Sequence, residues 1–338
     1  MDAVLIDAWL DGLRAAPTLD EASVSAAREA VRAEGARIGL DRTLIEGVVV
    51  AASELVHNQL RHARGGRFAV RATARGGVPG IEIIAADAGR GIADPARALS
   101  GMGGSSTSLG AGLAAARRMT HEMDIDVRAG EGTLVRARAF AAPLPRRREI
   151  GVLGRPCPGE VVSGDHAAFV RRDHALVVAV VDGVGHGPPA REAAAEAVAA
   201  FLAHSSGSPL LILDACDAAV ASLRGAVMAV ARIDEHAGLV DHAAVGNVNT
   251  RVERFRASRI LSGSSSTLGA RAGRKKPLAE SVAIEPAETV IMYTDGITSR
   301  LDLASDPDLL REHPIVIAEH VIANHARAND DALVLVAR

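Results

Sequence analysis

The sequence predicts an α+β protein built as two successive layered sandwiches. Three observations carry this. Residues 19–38 and 42–63 place apolar side chains at helical spacing, and short strand-like runs follow them. A stretch with two prolines and an arginine run, 141–149, then interrupts the pattern. Beyond it, many strand-like runs alternate with a few helical ones, as in an antiparallel sheet with helices layered on it. The expected organisation is an N-terminal extension over 1–17, a first domain over 18–140, a linker over 141–149 and a second domain over 150–338.

The elements follow in order. Asp20 and Asp41 are plausible N-caps for the first two helices, because a carboxylate there accepts a backbone N–H that the helix leaves unpaired. Residues 68–74 and 81–86 read as strands, 109–119 as a helix, and 125–128 with 133–140 as a strand pair. In the second half, 175–181, 225–233, 239–245, 250–255 and 289–293 read as strands. Residues 188–203, 210–223 and 306–326 read as helices. The linker arginines Arg146, Arg147 and Arg148 suit a solvated segment. The extension carries Trp9 and reads as core packing or as an amphipathic interaction helix.

Bulk properties exclude several classes. A length of 338 residues is enough for two domains. The net charge of −3 gives no electrostatic footprint for nucleic acid. No apolar run approaches membrane-spanning length, and the N-terminus carries acids where a signal peptide would carry bases. Cys157 and Cys216 match no zinc spacing and suggest reduced thiols in the cytoplasm. Aromatic residues are 2% of the chain, so the cores must be made of Val, Ile, Leu and Ala.

Three segments of the first half carry chemistry. In Ser53–Ala63, Glu54, Asn58 and either His62 or Arg61 share one helix face at intervals of four; such a row also describes an ordinary solvated face. Asp87-Ala88-Gly89-Arg90-Gly91 follows a strand, where the carboxylate can accept from an adenine amino group and the glycines let a base approach backbone. Alone it is also an ordinary turn. Gly101–Leu113 is rich in glycine and hydroxyl groups and opens into a helix, which makes a phosphate cradle or a flexible loop.

Together, in this order and spacing, these segments resemble the GHKL (Bergerat) ATPases, most nearly the RsbT-like switch kinases. The resemblance implies an α/β sandwich that binds ATP with Mg²⁺. It implies that Asn58 ligates the Mg²⁺, that Glu54 activates an acceptor hydroxyl, and that Asp87 reads adenine beside Gly89 and Gly91. Gly110 and Gly112 would lie in a short lid, and Thr133 would close the adenine side.

The second half carries four aspartates at the edges of apolar, β-type runs: Asp165, Asp182, Asp295 and Asp330. Each alone reads as a turn residue. As a set, carboxylates held on strand ends would make an oxygen-ligand site for hard divalent cations, the layout of a two-metal hydrolase. The ordered set resembles the PPM-type (protein phosphatase 2C-like) phosphatases in their SpoIIE/RsbX branch. That resemblance implies an αββα sandwich holding two Mn²⁺ or Mg²⁺ ions. Asp182 would bridge them and the Gly183 carbonyl would ligate. Asp295 and Asp330 would bind one ion, with Asp330 preferred over Asp331, and Asp165 would join the cluster. His186, in Gly185-His186-Gly187, reads either as a proton donor to the leaving oxygen or as a residue that fixes the turn. Asn247 and Asn249 read as structural turn residues, and Ser262–Thr267 resembles a substrate-side loop.

The two resemblances imply an enzyme of bacterial signalling. A serine/threonine phosphatase is joined to an ATP-binding, kinase-like domain. Both would act on a STAS-domain phosphoprotein in a partner-switching pathway, with other switch proteins as possible partners. In the alternative, the first domain binds ATP or docks a regulator and transfers no phosphate.

Overall fold

The computed structural model describes residue 10 and residues 14–101, 109–145, 147–172, 174–270 and 276–338. The chain divides into two units, Met1–Ile150 and Gly151–Arg338.

The first unit begins with a short strand, β1 (Ala16–Thr18), which pairs antiparallel with β2 (Gly66–Arg75). Leu10 is buried against Ala69, Ile84, Ala86 and Leu134. The described part of the expected extension is thus tied into the sheet; Trp9 lies outside the described residues. Helix α1 (Glu21–Arg37) starts at Asp20, whose side chain accepts from Ser23 N–H while Ser23 caps in return. Helix α2 (Arg42–Asn58) starts at Asp41, which accepts from Thr43 N–H. The helical stretch expected over 42–63 does not stay α-helical. It widens into a π-turn at Gln59–Ala63, and the chain leaves through Arg64 in the left-handed conformation. Strand β3 (Val78–Asp87), the short helix α3 (Pro95–Ser100), helix α4 (Leu109–Arg118), β4 (Glu122–Arg128) and β5 (Gly132–Phe140) follow. The sheet is antiparallel in the order β1-β2-β3-β5-β4. Helices α1, α2 and α4 pack together with α1 against the sheet, which makes an α/β sandwich.

Two findings depart from the reading of the strands. Strand β4 starts at Glu122 and is buried along its whole length, including Glu122, Asp124, Asp126 and Arg128. These charges do not follow the polar-out rule because they are paired. Arg138 on β5 bonds Glu82 and Asp124 at 2.8 Å each, and Arg128 bonds Asp126 at 2.5 Å. The stretch expected as a solvated linker is tied to this unit. Glu149 accepts from Met123 N–H at 2.9 Å, Arg75 donates to the Pro145 carbonyl, and Arg148 is buried. Arg146 lies outside the described residues.

The second unit contains β6 (Ile150–Arg155), β7 (Asp165–Arg172), β8 (Ala175–Gly183), α5 (Pro188–His204), α6 (Pro209–Ala219), β9 (Ala226–Asp234), β10 (Leu239–Val245), β11 (Asn249–Arg254), β12 (Ala257–Leu261), β13 (Leu278–Ala283), β14 (Thr289–Tyr293), α7 (Pro314–His325) and β15 (Ala332–Ala337). One sheet runs β13-β10-β9-β8-β7 and the other β6-β15-β14-β11-β12. They face each other: His242 Nε2 on β10 lies 3.0 Å from Thr250 Oγ1 on β11. Helices α5 and α6 cover the first sheet and α7 packs on β15, which gives an αββα sandwich. Alanines 194 and 197 let α5 sit close to the sheet, and Phe201, Ile212 and Leu213 fill the space between. Burying a side chain the size of Phe201 contributes about 2–3 kcal/mol. The helix expected over 306–326 is interrupted. A 3₁₀ turn at Leu309–Arg311 precedes α7, because Pro314 disfavours helix at its predecessor and suits a first helical position. Strands β1, β6, β7, β12, β13 and β15 lie outside the strand ranges read from the sequence.

Candidate functional site

Two sites emerge, one in each unit. In the first unit, Glu54 and Asn58 stand one turn apart on α2 and face Gly112 on α4. A methyl group at Gly112 would sit 2.7 Å from Glu54 Oε2 and 3.3 Å from Asn58 Oδ1, so glycine leaves room for these polar side chains where the helices meet. Gly110 lies in the first turn of α4. The cradle residues 102–108 lie outside the described residues.

Asn58 opens onto a pocket with Asp87 and Thr133 on its strand side, Gly89 and Gly91 on the following loop, and Leu55, Leu113 and Val135 as apolar wall. His62 also lines it, whereas Arg61 does not. Asp87 ends β3; its Oδ1 accepts from Gly89 N–H at 2.8 Å, and Thr133 N–H also donates to the carboxylate. Burial outweighs these two bonds and pushes the carboxyl up to about 6. An acceptor in this pocket, with backbone glycines and an apolar wall beside it, fits a purine amino group, and the Asn58 carboxamide in the same lining fits a hydrated cation on phosphates.

Gln59, absent from the sequence reading, holds this geometry. As the first residue of the π-turn it donates to the Arg67 and Ala86 carbonyls at 3.0 Å each and accepts from Thr18 Oγ1 at 3.0 Å. It therefore ties the helix of Glu54 and Asn58 to the strand end that presents Asp87. A π-turn placed against a binding pocket is a common functional device, but no residue-spacing rule exposes it.

In the second unit the acids converge from four strand ends. Asp165 at the start of β7 is the register partner of Asp182 at the end of β8. Asp295 follows β14 and Asp330 precedes β15. Asp165 is buried and accepts from Thr294 Oγ1 at 2.6 Å; burial first and Asp182 second push its carboxyl well up. Asp182 is pushed up to about 8, by burial first and then by Asp295 and Asp330, and it shares a hydrogen bond with Asp295. Burial and Asp295 also raise Asp330. Asn247 Nδ2 donates to Asp295 Oδ2 at 2.7 Å, so this residue, read from sequence as a turn element, reaches the acids.

Asp330 and its neighbour divide the work. Asp331 is buried, and both of its oxygens are taken, by Cys157 N–H at 2.6 Å and Gly164 N–H at 2.7 Å. Asp330 lines a cleft of about 320 Å³ together with Asp182, Asp295, Asn247 and His186. Gly183 lies where β8 meets α5. A methyl group there would be 2.1 Å from the Ala190 carbonyl oxygen, so the close approach demands glycine. His186 is exposed, and its Nδ1 lies 2.7 Å from Glu160 Oε1.

Among the described residues, no three His, Cys, Asp or Glu side chains are already drawn into a metal cage. The donor set nevertheless fits a hard divalent cation. It consists of carboxylates that disfavour one another's charge, and a cation between them reverses that penalty.

Comparison with known proteins finds relatives for both units. Residues 17–139 match the histidine kinase-like ATPase domain family, and residues 172–338 match the stage II sporulation protein E (SpoIIE) family. The serine/threonine-protein kinase RsbT of Bacillus subtilis (strain 168) is 32% identical over 119 residues, which are 35% of this chain and 90% of RsbT. A solved structure of the bacterial stressosome, described as a modular system adapted to control secondary messenger signalling, is similar with a TM-score of 0.53 and 27% identity. It covers 57% of this chain and all of that one. RsbX in complex with magnesium superposes with a TM-score of 0.51 and 21% identity, over 58% of this chain and 96% of that one, a likeness of fold. The chain therefore belongs to the histidine kinase-like ATPase family through an RsbT-homologous N-terminal domain, and to the SpoIIE family through a C-terminal phosphatase domain of the PPM type.

Proposed function

We propose that this chain is a metal-dependent phosphoserine/phosphothreonine phosphatase whose ATP-binding domain also phosphorylates serine or threonine on a STAS-domain regulator of a partner-switching pathway. The observation that carries the phosphatase half is the group of Asp165, Asp182, Asp295 and Asp330 on converging strand ends, with Asp182 raised to about 8. Two Mn²⁺ or Mg²⁺ ions held there would activate a water for in-line attack and offset charge on the phosphoryl oxygens. In this reading Asp182, the Gly183 carbonyl, Asp330 and Asp295, which Asn247 steadies, would hold the ions. Thr294 fixes Asp165, and Asp331 clamps the two loops at Cys157 and Gly164. His186 at the cleft rim gives a proton to the leaving oxygen.

In the first unit, Asp87 accepts from the adenine amino group between Gly89, Gly91 and Thr133, with Gly110 and Gly112 in the first turns of α4, where the sequence reading expected a short lid. Asn58 holds the Mg²⁺ that accompanies the phosphates. Glu54, one turn away, takes the proton of the acceptor hydroxyl. The RsbT relationship supports the kinase reaction, and the stressosome likeness supports a partner-switching regulator as substrate. Cys157 and Cys216 are free thiols, which suits the cytoplasm. Among the described residues, no helix is long and apolar enough to cross a membrane.

The phosphatase half is tested by hydrolysis of an aryl phosphate by the full chain with Mn²⁺, with EDTA and with Asp182→Asn. Activity that requires both Mn²⁺ and Asp182 is expected; equal activity in the variant would sink the metal mechanism. The kinase half is tested by transfer from γ-labelled ATP to a STAS protein. Glu54→Ala should abolish transfer. A wild-type chain that binds ATP but transfers nothing would leave the first unit as a sensor or docking domain.

A further inference from the structure

Glu160 was not singled out by the sequence, yet the structure builds a turn to deliver it. Glu160 N–H closes on the Cys157 carbonyl at 3.0 Å across Pro158 and Gly159, and Gly159 has φ +94°, the geometry of a type II turn. Asp331 holds the front of that turn through Cys157 N–H. On the facing loop, Gly187 has φ +71° and caps α5, and the Glu160 carboxylate lies over it. A methyl group at Gly187 would be 2.9 Å from Glu160 Oε2. The other carboxylate oxygen meets His186 Nδ1 at 2.7 Å. Nε2 of that ring has no partner among the described residues, and His186 lines the cleft with Asp182, Asp295 and Asp330.

Stability does not explain the arrangement. The His186 side chain is 69% exposed, and exposed pairs of this kind contribute between nothing and about 1 kcal/mol. Two left-handed glycines and a buried aspartate are arranged around a contact that stabilises little, beside the proposed reaction cleft.

We propose that Glu160 is a positioning residue for the phosphatase reaction. Its carboxylate holds Nδ1–H and fixes the ring so that Nε2 delivers a proton to the departing serine or threonine oxygen. The inference rests on the phosphatase reading above. In the step, the bond from the attacking water oxygen to phosphorus forms as the bond from phosphorus to the seryl oxygen breaks. The electron pair of the broken bond stays on the seryl oxygen, which takes the Nε2 proton. The proton lost by the attacking water returns to the ring through solvent. One water is consumed, and an alcohol and inorganic phosphate leave.

The prediction is a dependence on the leaving group. A nitrophenolate departs without a proton, whereas a serine alkoxide needs one. The full chain is assayed with Mn²⁺ on p-nitrophenyl phosphate and on a phosphoserine peptide. Glu160→Ala should lower kcat on the peptide by about tenfold or more, with a much smaller fall on the nitrophenyl ester and little change in KM. Glu160→Gln should recover a large part of the loss, because its amide oxygen still accepts from Nδ1–H. His186→Ala should show the same selectivity, and the double variant should lose no more than His186→Ala alone. An equal fall on both substrates, no fall on the peptide, or no recovery in Glu160→Gln would overturn the proposal. A wild-type chain inactive on both substrates would overturn the phosphatase reading and this inference with it.

Discussion

Replacing Asp87 by asparagine should stabilise the ATP-free protein while weakening its hold on ATP. The carboxyl is raised from its ordinary 3.8 to about 6, with burial as the first cause, partly offset by the Gly89 and Thr133 N–H groups. A folded-state value above the unfolded one means the native protein binds this proton more tightly. The folded state is therefore favoured at low pH, loses stability as pH rises from about 4 to 6, and carries a constant penalty above that. At 1.36 kcal/mol per pH unit the penalty at neutral pH is about 3 kcal/mol, an upper value because water reaches the pocket. An asparagine side chain in this place would keep the size and an acceptor for Gly89 N–H without the charge. Urea unfolding of the full chain at pH 5 and pH 7.5 should show the wild-type transition of the ATP-binding unit weakening between the two. In Asp87→Asn the difference should shrink, with a gain at pH 7.5 of about 1–3 kcal/mol. ATP affinity should move the other way. With the amide oxygen committed to Gly89, Nδ2 meets the adenine amino group donor to donor, and a loss of at least about tenfold is expected. A variant that is less stable at pH 7.5, or that binds ATP as tightly as wild type by calorimetry, would refute the reasoning.

Three further outcomes follow from the same geometry. Gln59→Ala removes the link between α2 and the end of β3. It should cost about 1–3 kcal/mol in urea unfolding and lower ATP affinity, although Gln59 itself is not a ligand group; unchanged affinity would show that the π-turn only packs. Asn247→Ala frees Asp295 and should raise the Mn²⁺ concentration that half-activates aryl phosphate hydrolysis by about tenfold, the scale of lost support around a metal ligand. An unchanged Mn²⁺ titration would return Asn247 to the role of a turn residue. Gly183→Ala forces a methyl group onto the Ala190 carbonyl and should cost at least about 2 kcal/mol of stability by thermal unfolding, along with phosphatase activity.

The difference between what the sequence exposed and what it hid has a physical origin. Asp165, Asp182, Asp295 and Asp330 could be singled out because each lies at the edge of an apolar, β-type run, and two of them are followed by glycine. Glu54, Asn58 and Asp87 were legible for a similar reason, since helix spacing and a strand-to-glycine step are local patterns. The fold class followed from the same periodicities. Edge strands such as β12 and β13 did not, because Ala257–Leu261 and Leu278–Ala283 are largely exposed and carry no apolar alternation to betray them. The supporting residues were illegible for a deeper reason. Gln59, Asn247, Thr294 and Glu160 act on groups that are 27, 48, 129 and 26 positions away in the chain, and their partners are fixed only when the sheets form. Asp331 shows the limit most plainly. Its neighbour Asp330 has the same side chain, and nothing local distinguishes them. The backbone directs Asp330 to the cleft and Asp331 to two loop amides, and one of those amides starts the turn that presents Glu160 to His186. Asp331→Asn would leave one of those amides facing an amide nitrogen. It should therefore loosen the Glu160 turn and reproduce, in weaker form, the leaving-group selectivity of Glu160→Ala.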